Sequence, residues 1–145
     1  MVRRARICMT PVTHSRSCLV MAPYERFEAF RLCHELALIV YRETTFFPKA
    51  EQYGLTSQAR RAAFSAAANI VEGSVKRGAA EFRRYLDISL ASLAELGYVI
   101  RLAHELSLLD GDQYGQIGAA HTEASKATWG LYASMRRQSA QQPTA

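Results

Sequence analysis

Apolar residues recur along most of this chain at spacings of three and four, the period of one face of an α-helix. No segment alternates apolar and polar residues as a half-buried strand would. The spacing predicts helices over residues 24–45, 55–76, 79–108 and 112–138. They are separated by Pro48, the glycines at 73 and 78, and the turn Asp110-Gly111-Asp112. Thr56 is one expected cap of the second helix, and an earlier turn that begins at Glu51 is the alternative. We therefore expect an all-α protein, an up-down-up-down antiparallel four-helix bundle.

The first and third predicted helices are apolar over more than one face. In the first, helical spacing indicates a core stripe with further apolar residues beside it. The expected stripe is Phe27, Phe30, His34, Ala37, Tyr41 and Thr44, and the residues beside it are Cys33, Leu36 and Val40. One short protomer cannot bury all of this surface, so we expect a homo-oligomer. The alternative is a monomer with scattered exposed aliphatic side chains.

A stripe of polar residues follows one face of the second helix, between alanines and aliphatic residues. It comprises Gln58, Arg61, Ser65, Asn69 and Glu72, and Ser92 and Glu95 of the third helix could join it. Two interpretations are open, a wet groove and a buried hydrogen-bonded network. In the network, the five guanidinium donors of Arg61 would meet the carboxylate of Glu72. Such a network would fix helix register or subunit orientation and would do no chemistry.

The termini differ from the rest of the chain in composition and charge. The net charge is +5, and residues 1–23 contain four arginines and no acid, so most of the positive charge belongs to this segment. We predict a disordered basic N-terminal tail over 1–23, a bundle domain over 24–138 and a disordered C-terminal tail over 139–145. Met21 precedes the first periodic segment by three residues, so either translation starts there or residues 1–22 are dispensable.

Several classes of protein are disfavoured by composition. With 49% hydrophobic and 21% charged residues the chain is typical of a globular domain, not of a disordered one. No apolar run approaches the ~18 residues that a membrane span needs, so we expect no membrane partner. Cys8, Cys18 and Cys33 form no pair at metal-ligand spacing, which indicates reduced thiols in a cytoplasmic protein without structural zinc.

The sequence holds no pattern typical of an enzyme. The four histidines are scattered, and no His-x-x-x-His, Glu-x-x-His or paired-carboxylate spacing indicates a metal site. A phosphate-binding glycine loop would need a preceding strand, and none is predicted. His34 and His104 are expected to be core or interface residues. We predict a protein that is not an enzyme and that needs no cofactor.

A basic cluster is the remaining candidate for binding. Arg60, Lys76, Arg77, Arg83 and Arg84, with Arg61 nearby, lie around the predicted turn between the second and third helices. In a ring, the copies would together form a basic collar able to contact RNA or DNA backbone in a salt-dependent manner. No aromatic residues interleave with these bases to stack on nucleobases, so any such binding would be non-specific. The alternative is an ordinary solvated loop, with another protein as the partner.

A longer motif makes the chain resemble a known family. It runs through Phe47-Pro48, Tyr53-Gly54-Leu55-Thr56-Ser57-Gln58, Arg60-Arg61-Ala62 and Asn69-Ile70-Val71-Glu72-Gly73, and continues with Glu81-Phe82 and Ser92-Leu93-Ala94-Glu95-Leu96. With this motif, residues 24–137 resemble the four-helix bundle proteins also called 23S rRNA-intervening sequence proteins.

The resemblance implies a small all-α bundle that assembles into a ring of five subunits. Members of the family are encoded within insertions in bacterial large-subunit rRNA genes or elsewhere in bacterial genomes, and have no established biochemical activity. A related branch, the accessory variability proteins of diversity-generating retroelements, forms basic pentameric barrels that bind nucleic acid and a reverse transcriptase. The resemblance therefore favours an oligomeric structural or interaction module, with nucleic-acid binding as the alternative.

Overall fold

Four helices make up the fold in this computed structural model, which describes residues 21–141. α1 spans Glu28–Glu43, α2 Leu55–Ser74, α3 Ala79–Glu105 and α4 Gly111–Gln141, and residues 21–141 contain no strand. Each helix packs against the next along the chain, and α4 packs against α1 to close the bundle. The predicted all-α four-helix bundle is confirmed.

α1 is shorter at both ends than the periodicity predicted. Pro23–Arg26 forms a separate 3-10 turn, and Phe27 has extended backbone (φ −89°, ψ 121°) that interrupts the helix. At the other end a 3-10 turn, Thr44–Phe46, follows directly. Phe47 is then extended (φ −66°, ψ 147°), because the ring of the following Pro48 excludes the helical conformation.

The start of α2 is capped differently from the prediction. Gly54 occupies the cap position, and the Glu51 carboxylate accepts a hydrogen bond from the Leu55 backbone N–H at 3.0 Å. This contact places a negative charge at the positive end of the helix dipole. Thr56 is buried within the first turn, so its prediction as the cap is wrong. α2 ends at Ser74, and Gly78, with φ 90°, sets the direction of α3.

Two local motifs define the link between α3 and α4. Ser107 adopts φ 59°, and the N–H of Leu108 bonds back to the Ala103 carbonyl at 2.9 Å, so α3 ends in a Schellman turn. Asp110 then caps α4, because its carboxylate accepts from the Gln113 N–H at 2.8 Å and its own N–H donates to the Gln113 side chain at 3.0 Å. The predicted turn at 110–112 is therefore only the start of α4.

α4 continues three residues beyond its predicted end. The Arg83 guanidinium donates to the Ser139 hydroxyl at 3.4 Å, which joins the last turns of α4 to the first turn of α3. Residues 139–141 are therefore helical and not part of a tail. The remainder of the predicted tails, 1–20 and 142–145, and the proposed start at Met21 lie outside what the structure tests.

The predicted stripe of α1 faces the core only in part. The fully buried side chains of α1 are those expected beside the stripe, Cys33, Leu36 and Val40. Of the stripe itself, Thr44 is buried and the apolar side chains at 27, 30 and 37 pack partly buried against the core, whereas His34 is exposed and Tyr41 is 45% exposed. The prediction is wrong for His34 and Tyr41 because α1 carries two apolar stripes, and only packing against α2 and α4 decides which one turns inward.

The α2–α3 contact is the most extensive in the bundle, and α2 presents small residues to its neighbours. Ala59, Ala62, Ala63 and Ala66 are all buried against neighbouring helices. The hydroxyl of Ser89, itself fully buried on α3, donates to the Ala66 carbonyl at 2.7 Å. Helix backbones can approach this closely only where side chains are small.

Candidate functional site

The stripe of α1 that contains His34 and Tyr41 forms an apolar groove with one side of α2. We call it the α1–α2 groove. It measures about 500 Å³. Its walls are Phe30, His34, Ala37, Leu38 and Tyr41 from α1 and Phe64, Ala67, Ala68, Val71 and Glu72 from α2. Eight of these ten residues have apolar or aromatic side chains, and the two others, His34 and Glu72, are exposed.

Large apolar side chains in the groove remain open to solvent. Leu38 is 57% exposed and Phe64 64% exposed. The His34 ring stacks on Phe30 with centroids 5.7 Å apart, which leaves one of its faces to the outside. A contiguous exposed apolar surface of this kind is typical of an interaction site.

The predicted polar stripe is only partly joined together in the protomer. The hydroxyls of Ser65 and Ser92 are 2.8 Å apart, and the Asn69 amide donates to the Ser65 carbonyl at 2.8 Å and to its hydroxyl at 3.1 Å. These three residues form a small bridge between α2 and α3. The Ser92 hydroxyl also bonds to the backbone, since it donates to the Ile88 carbonyl at 2.9 Å.

The long polar and charged side chains of the predicted network lie outside this bridge. Gln58, Arg61, Glu72 and Glu95 are exposed, and Arg61, Glu72 and Glu95 are absent from the five ion pairs found within residues 21–141. The expected burial of the whole network is therefore not found within one protomer. The stripe follows the edge of the α2–α3 contact, where helix periodicity aligns the residues but packing leaves the long side chains in solvent.

Arg61 and Glu95 nevertheless share a second, polar pocket. It measures about 250 Å³ and is lined also by Ala62, Phe64 and Ser65. Phe64 belongs to both this pocket and the α1–α2 groove, so it forms the ridge between them. An apolar groove and two opposite charges thus lie side by side on one surface.

Four of the five residues of the predicted basic cluster lie at one end of the bundle. Lys76, Arg77 and Arg84 are exposed, and Arg83 is half-buried beside Ser139. Lys76 also stands over the Tyr85 ring, 5.3 Å from its centroid. These four residues form the basic end of the bundle.

α4 adds two bases to this end that the sequence reasoning missed. Arg136 and Arg137 are exposed in the last turns of α4, next to the start of α3. The predicted topology could have identified them, because in an antiparallel bundle the end of α4 lies near the turn between α2 and α3. Glu72 and Glu81 are the exposed acids of the predicted cluster region at the same end.

Arg60 does not belong to the basic end. It lies near the start of α2, about 21 Å along the helix axis from Ser74 at ~1.5 Å per residue. Its guanidinium Nε donates to the Thr44 hydroxyl at 2.9 Å, and its carbon lies 5.0 Å from the centre of the Tyr41 ring. The prediction groups Arg60 with the basic cluster, although most of the length of α2, from Arg60 to Ser74, separates it from the turn after that helix.

The titratable core groups have structural partners. Burial raises the pKa of the Cys33 thiol, and its hydrogen bond to Thr128, at 3.5 Å, opposes that shift. His104 bonds to the Leu109 carbonyl at 3.0 Å and His121 to the Leu93 carbonyl at 2.7 Å.

Within 21–141 there is no group of three His, Cys, Asp or Glu side chains that could hold a metal ion. None of the described helices has the length and apolarity to cross a bilayer.

Comparison with known proteins gives one family and one fold. The family model for the 23S rRNA-intervening sequence protein matches residues 25–130. Among solved structures, the chain is similar to a protein of unknown function from the S23 ribosomal protein family of Bacteroides thetaiotaomicron. That structure superposes with a TM-score of 0.65 at 24% identity, over 72% of this chain and 94% of the other.

No curated protein matches the chain. The structural likeness, at 24% identity, supports the shared fold and nothing about activity. The family match covers most of the described helices, from the turn before α1 into the second half of α4. The chain therefore belongs to the 23S rRNA-intervening sequence protein family.

Proposed function

We propose that this protein is a non-enzymatic, homo-oligomeric module of the cytoplasm, whose copies assemble through the α1–α2 groove to present a shared surface to a partner. The exposed apolar groove is the observation that carries the proposal. Its Leu38 and Phe64 side chains lose favourable burial in an isolated protomer, and covering one such side chain is worth about 1.5–3 kcal/mol.

A ring of five subunits is the form that the family resemblance implies. A ring needs two different surfaces on each protomer, because each contact is head-to-tail. The α1–α2 groove supplies one. The outer face of α3 offers a second, since Ile88 is 43% and Tyr98 66% exposed there. In this arrangement Arg61 and Glu95, beside the groove, are free to pair with charges of the next copy and to fix its orientation.

Sedimentation velocity and light scattering test the assembly directly. The protomer mass is 16.2 kDa, and five copies give 5 × 16.2, about 81 kDa. A Leu38→Gln variant should weaken each contact by roughly tenfold to a hundredfold, the equivalent of about 1.5–3 kcal/mol. The oligomer should then dissociate at micromolar concentration while circular dichroism stays that of a folded bundle.

Leu106→Gln is the matched control. Leu106 is 56% exposed, almost the same as Leu38, but it lies at the end of α3 and outside the groove. This variant should assemble like the wild type. A wild-type protein that sediments as a lone protomer at micromolar concentration would refute the proposal, and so would equal weakening by both variants.

A second candidate function is non-specific binding of RNA or DNA backbone at the basic end. The observation that favours it is the convergence of Arg136 and Arg137 with Lys76, Arg77 and Arg84 at one end of the bundle. In a ring, the same end of every copy would contribute, so the positive potential would add. Binding of this kind releases counterions and weakens steeply with salt.

Fluorescence anisotropy with a 23S rRNA fragment at two salt concentrations tests this candidate. A double Lys76→Gln/Arg77→Gln variant should bind more weakly and lower the salt slope by about 1 to 2. Arg101→Gln, an exposed base on the other end of α3, is the control and should leave the slope unchanged. Absence of binding at low salt would remove this candidate and leave a protein as the expected partner.

A further inference from the structure

Arg60 is held in a fixed position by the last turn of α1 and the 3-10 turn that follows it. Its Nε donates to the Thr44 hydroxyl at 2.9 Å, and its Nη2 donates to the Tyr41 carbonyl at 3.3 Å and to the Thr45 hydroxyl at 3.5 Å. The guanidinium also stacks over the Tyr41 ring. A flexible arginine is thereby pre-ordered, so a ligand that binds it does not have to restrict its rotamers.

The fixed guanidinium borders a small pocket, which we call the Arg60 pocket. It measures about 220 Å³ and lies between the end of α1 and the start of α2. Besides Arg60, its polar lining comes from Thr44, Thr45, Lys49, Gln52 and Thr56. Two cations, three hydroxyls and an amide thus surround one space.

Carboxylates are absent from the lining of this pocket. The nearest acids in the chain are engaged elsewhere. Glu51 caps α2 at the Leu55 N–H, and the buried Glu43 accepts from Arg42 at 2.9 Å and from Gln113 at 3.0 Å. Neither Arg60 nor Lys49 takes part in the five ion pairs found within 21–141. A half-buried guanidinium without a counter-charge favours an anion from outside.

We propose that the Arg60 pocket binds a small phosphate-class oxyanion, either free or as the terminal group of a larger molecule. The volume of about 220 Å³ lies below the roughly 300–1,000 Å³ of pockets for whole drug-sized ligands, and so it suits a small anionic group. The remaining guanidinium N–H groups and the Lys49 ammonium supply charge-assisted donors, and the Thr56 hydroxyl and Gln52 amide complete the shell. The site lies at the opposite end of α2 from the basic end and does not depend on assembly.

Titration of the full-length protein with inorganic phosphate tests the proposal. Calorimetry and amide chemical shifts are recorded at constant ionic strength, with chloride as the compensating ion. We expect saturable shifts around residues 44–60 and a dissociation constant of about 1 mM. Competition by a single-stranded RNA would identify a nucleic-acid phosphate as the source of the anion, and its absence would identify a free phosphate or phosphomonoester.

Three substitutions locate the site. Arg60→Gln should weaken phosphate binding more than tenfold, and Lys49→Gln and Thr56→Val should each weaken it severalfold. The last two keep the test valid if Arg60→Gln fails to fold, because neither removes the bonds between Arg60 and α1. Arg77→Gln, a base at the other end of α2, should bind phosphate like the wild type.

Two results would overturn the proposal. One is a phosphate titration without saturation, in which shifts match those produced by chloride. The other is equal weakening by Arg77→Gln and Lys49→Gln, which would show that phosphate responds only to the net charge of the protein.

Discussion

Replacing Gly73 with alanine tests how closely α2 and α3 approach. Gly73 is buried inside α2, and a Cβ added there would lie 2.5 Å from Cδ2 of Phe82 and 2.8 Å from Cβ of Tyr85. Phe82 cannot easily move away, because its ring packs against Phe27 with centroids 5.2 Å apart. The Tyr85 Cβ moves only if the backbone of α3 moves.

Two effects of opposite sign decide the magnitude. Alanine in the interior of a helix gains about 1 kcal/mol over glycine, whereas overpacking a rigid contact costs up to about 3 kcal/mol. We expect Gly73→Ala to lower the free energy of unfolding by about 2 kcal/mol, and the melting temperature by roughly 6 °C.

Gly130→Ala is the matched control. Gly130 lies exposed in the interior of α4, and an added Cβ there would meet no atom within 4 Å. The free energy of unfolding of this variant should rise only through the better helix propensity of alanine, by up to about 1 kcal/mol.

Thermal and urea unfolding, followed by circular dichroism, measure both variants. Protein concentration must be held constant because association also stabilises the folded state. A Gly73→Ala protein that melts at or above the wild-type temperature would refute the close approach of α2 and α3.

Three further predictions follow from individual contacts. Asp110→Ala should cost about 1 kcal/mol in urea unfolding through loss of the bond to the Gln113 N–H, while Asp112→Ala, in the first turn, should cost only about 0.3 kcal/mol. Because burial raises the pKa of the Cys33 thiol, alkylation followed by peptide mass spectrometry should find it protected in the native protein at pH 8. The same pKa shift should lower the free energy of unfolding as the pH rises above 9.0, the ordinary pKa of a cysteine thiol, because the unfolded chain then forms the thiolate more readily than the folded one. An unchanged free energy of unfolding in that pH range would contradict the shift. Arg61→Ala should leave the folded protomer within about 0.5 kcal/mol of the wild type but shift sedimentation toward smaller species, and unaltered assembly would show that Arg61 does not orient subunits.

Helix periodicity was sufficient for the number and order of the helices, but their ends depended on particular bonds. α1 ends where the Thr44 hydroxyl bonds to the Val40 carbonyl and Pro48 forces extended backbone. α2 begins where the side chain of Glu51 reaches the Leu55 N–H. These contacts follow from local geometry that composition does not specify. The starts of α2 and α3 were predicted as observed, and the other six ends erred by one to four residues.

For the α1–α2 groove and the polar stripe of α2, the sequence likewise predicted which residues share a helix face, and packing decided which of them are exposed. That α1 has more apolar surface than one core can use was visible in its sequence. Which stripe faces outward was not, because Phe30, His34 and Tyr41 follow helical spacing as well as Cys33, Leu36 and Val40 do. Similarly, the polar residues of α2 align on one face, but only packing against α3 selects Ser65 and Asn69 for hydrogen bonding and leaves Arg61 in solvent.

The sequence by itself determined an all-helical chain, four helices in antiparallel order and a family motif that spans them. Those properties follow from hydrophobic period and short connections, which act over a few residues. Only the tertiary structure decided which residues of α1 turn inward, that the Arg60 guanidinium bonds to Thr44, and that the α1–α2 groove is open. These contacts depend on how the helices rotate about their axes and pack, and helix rotation is set by contacts between residues distant in the sequence.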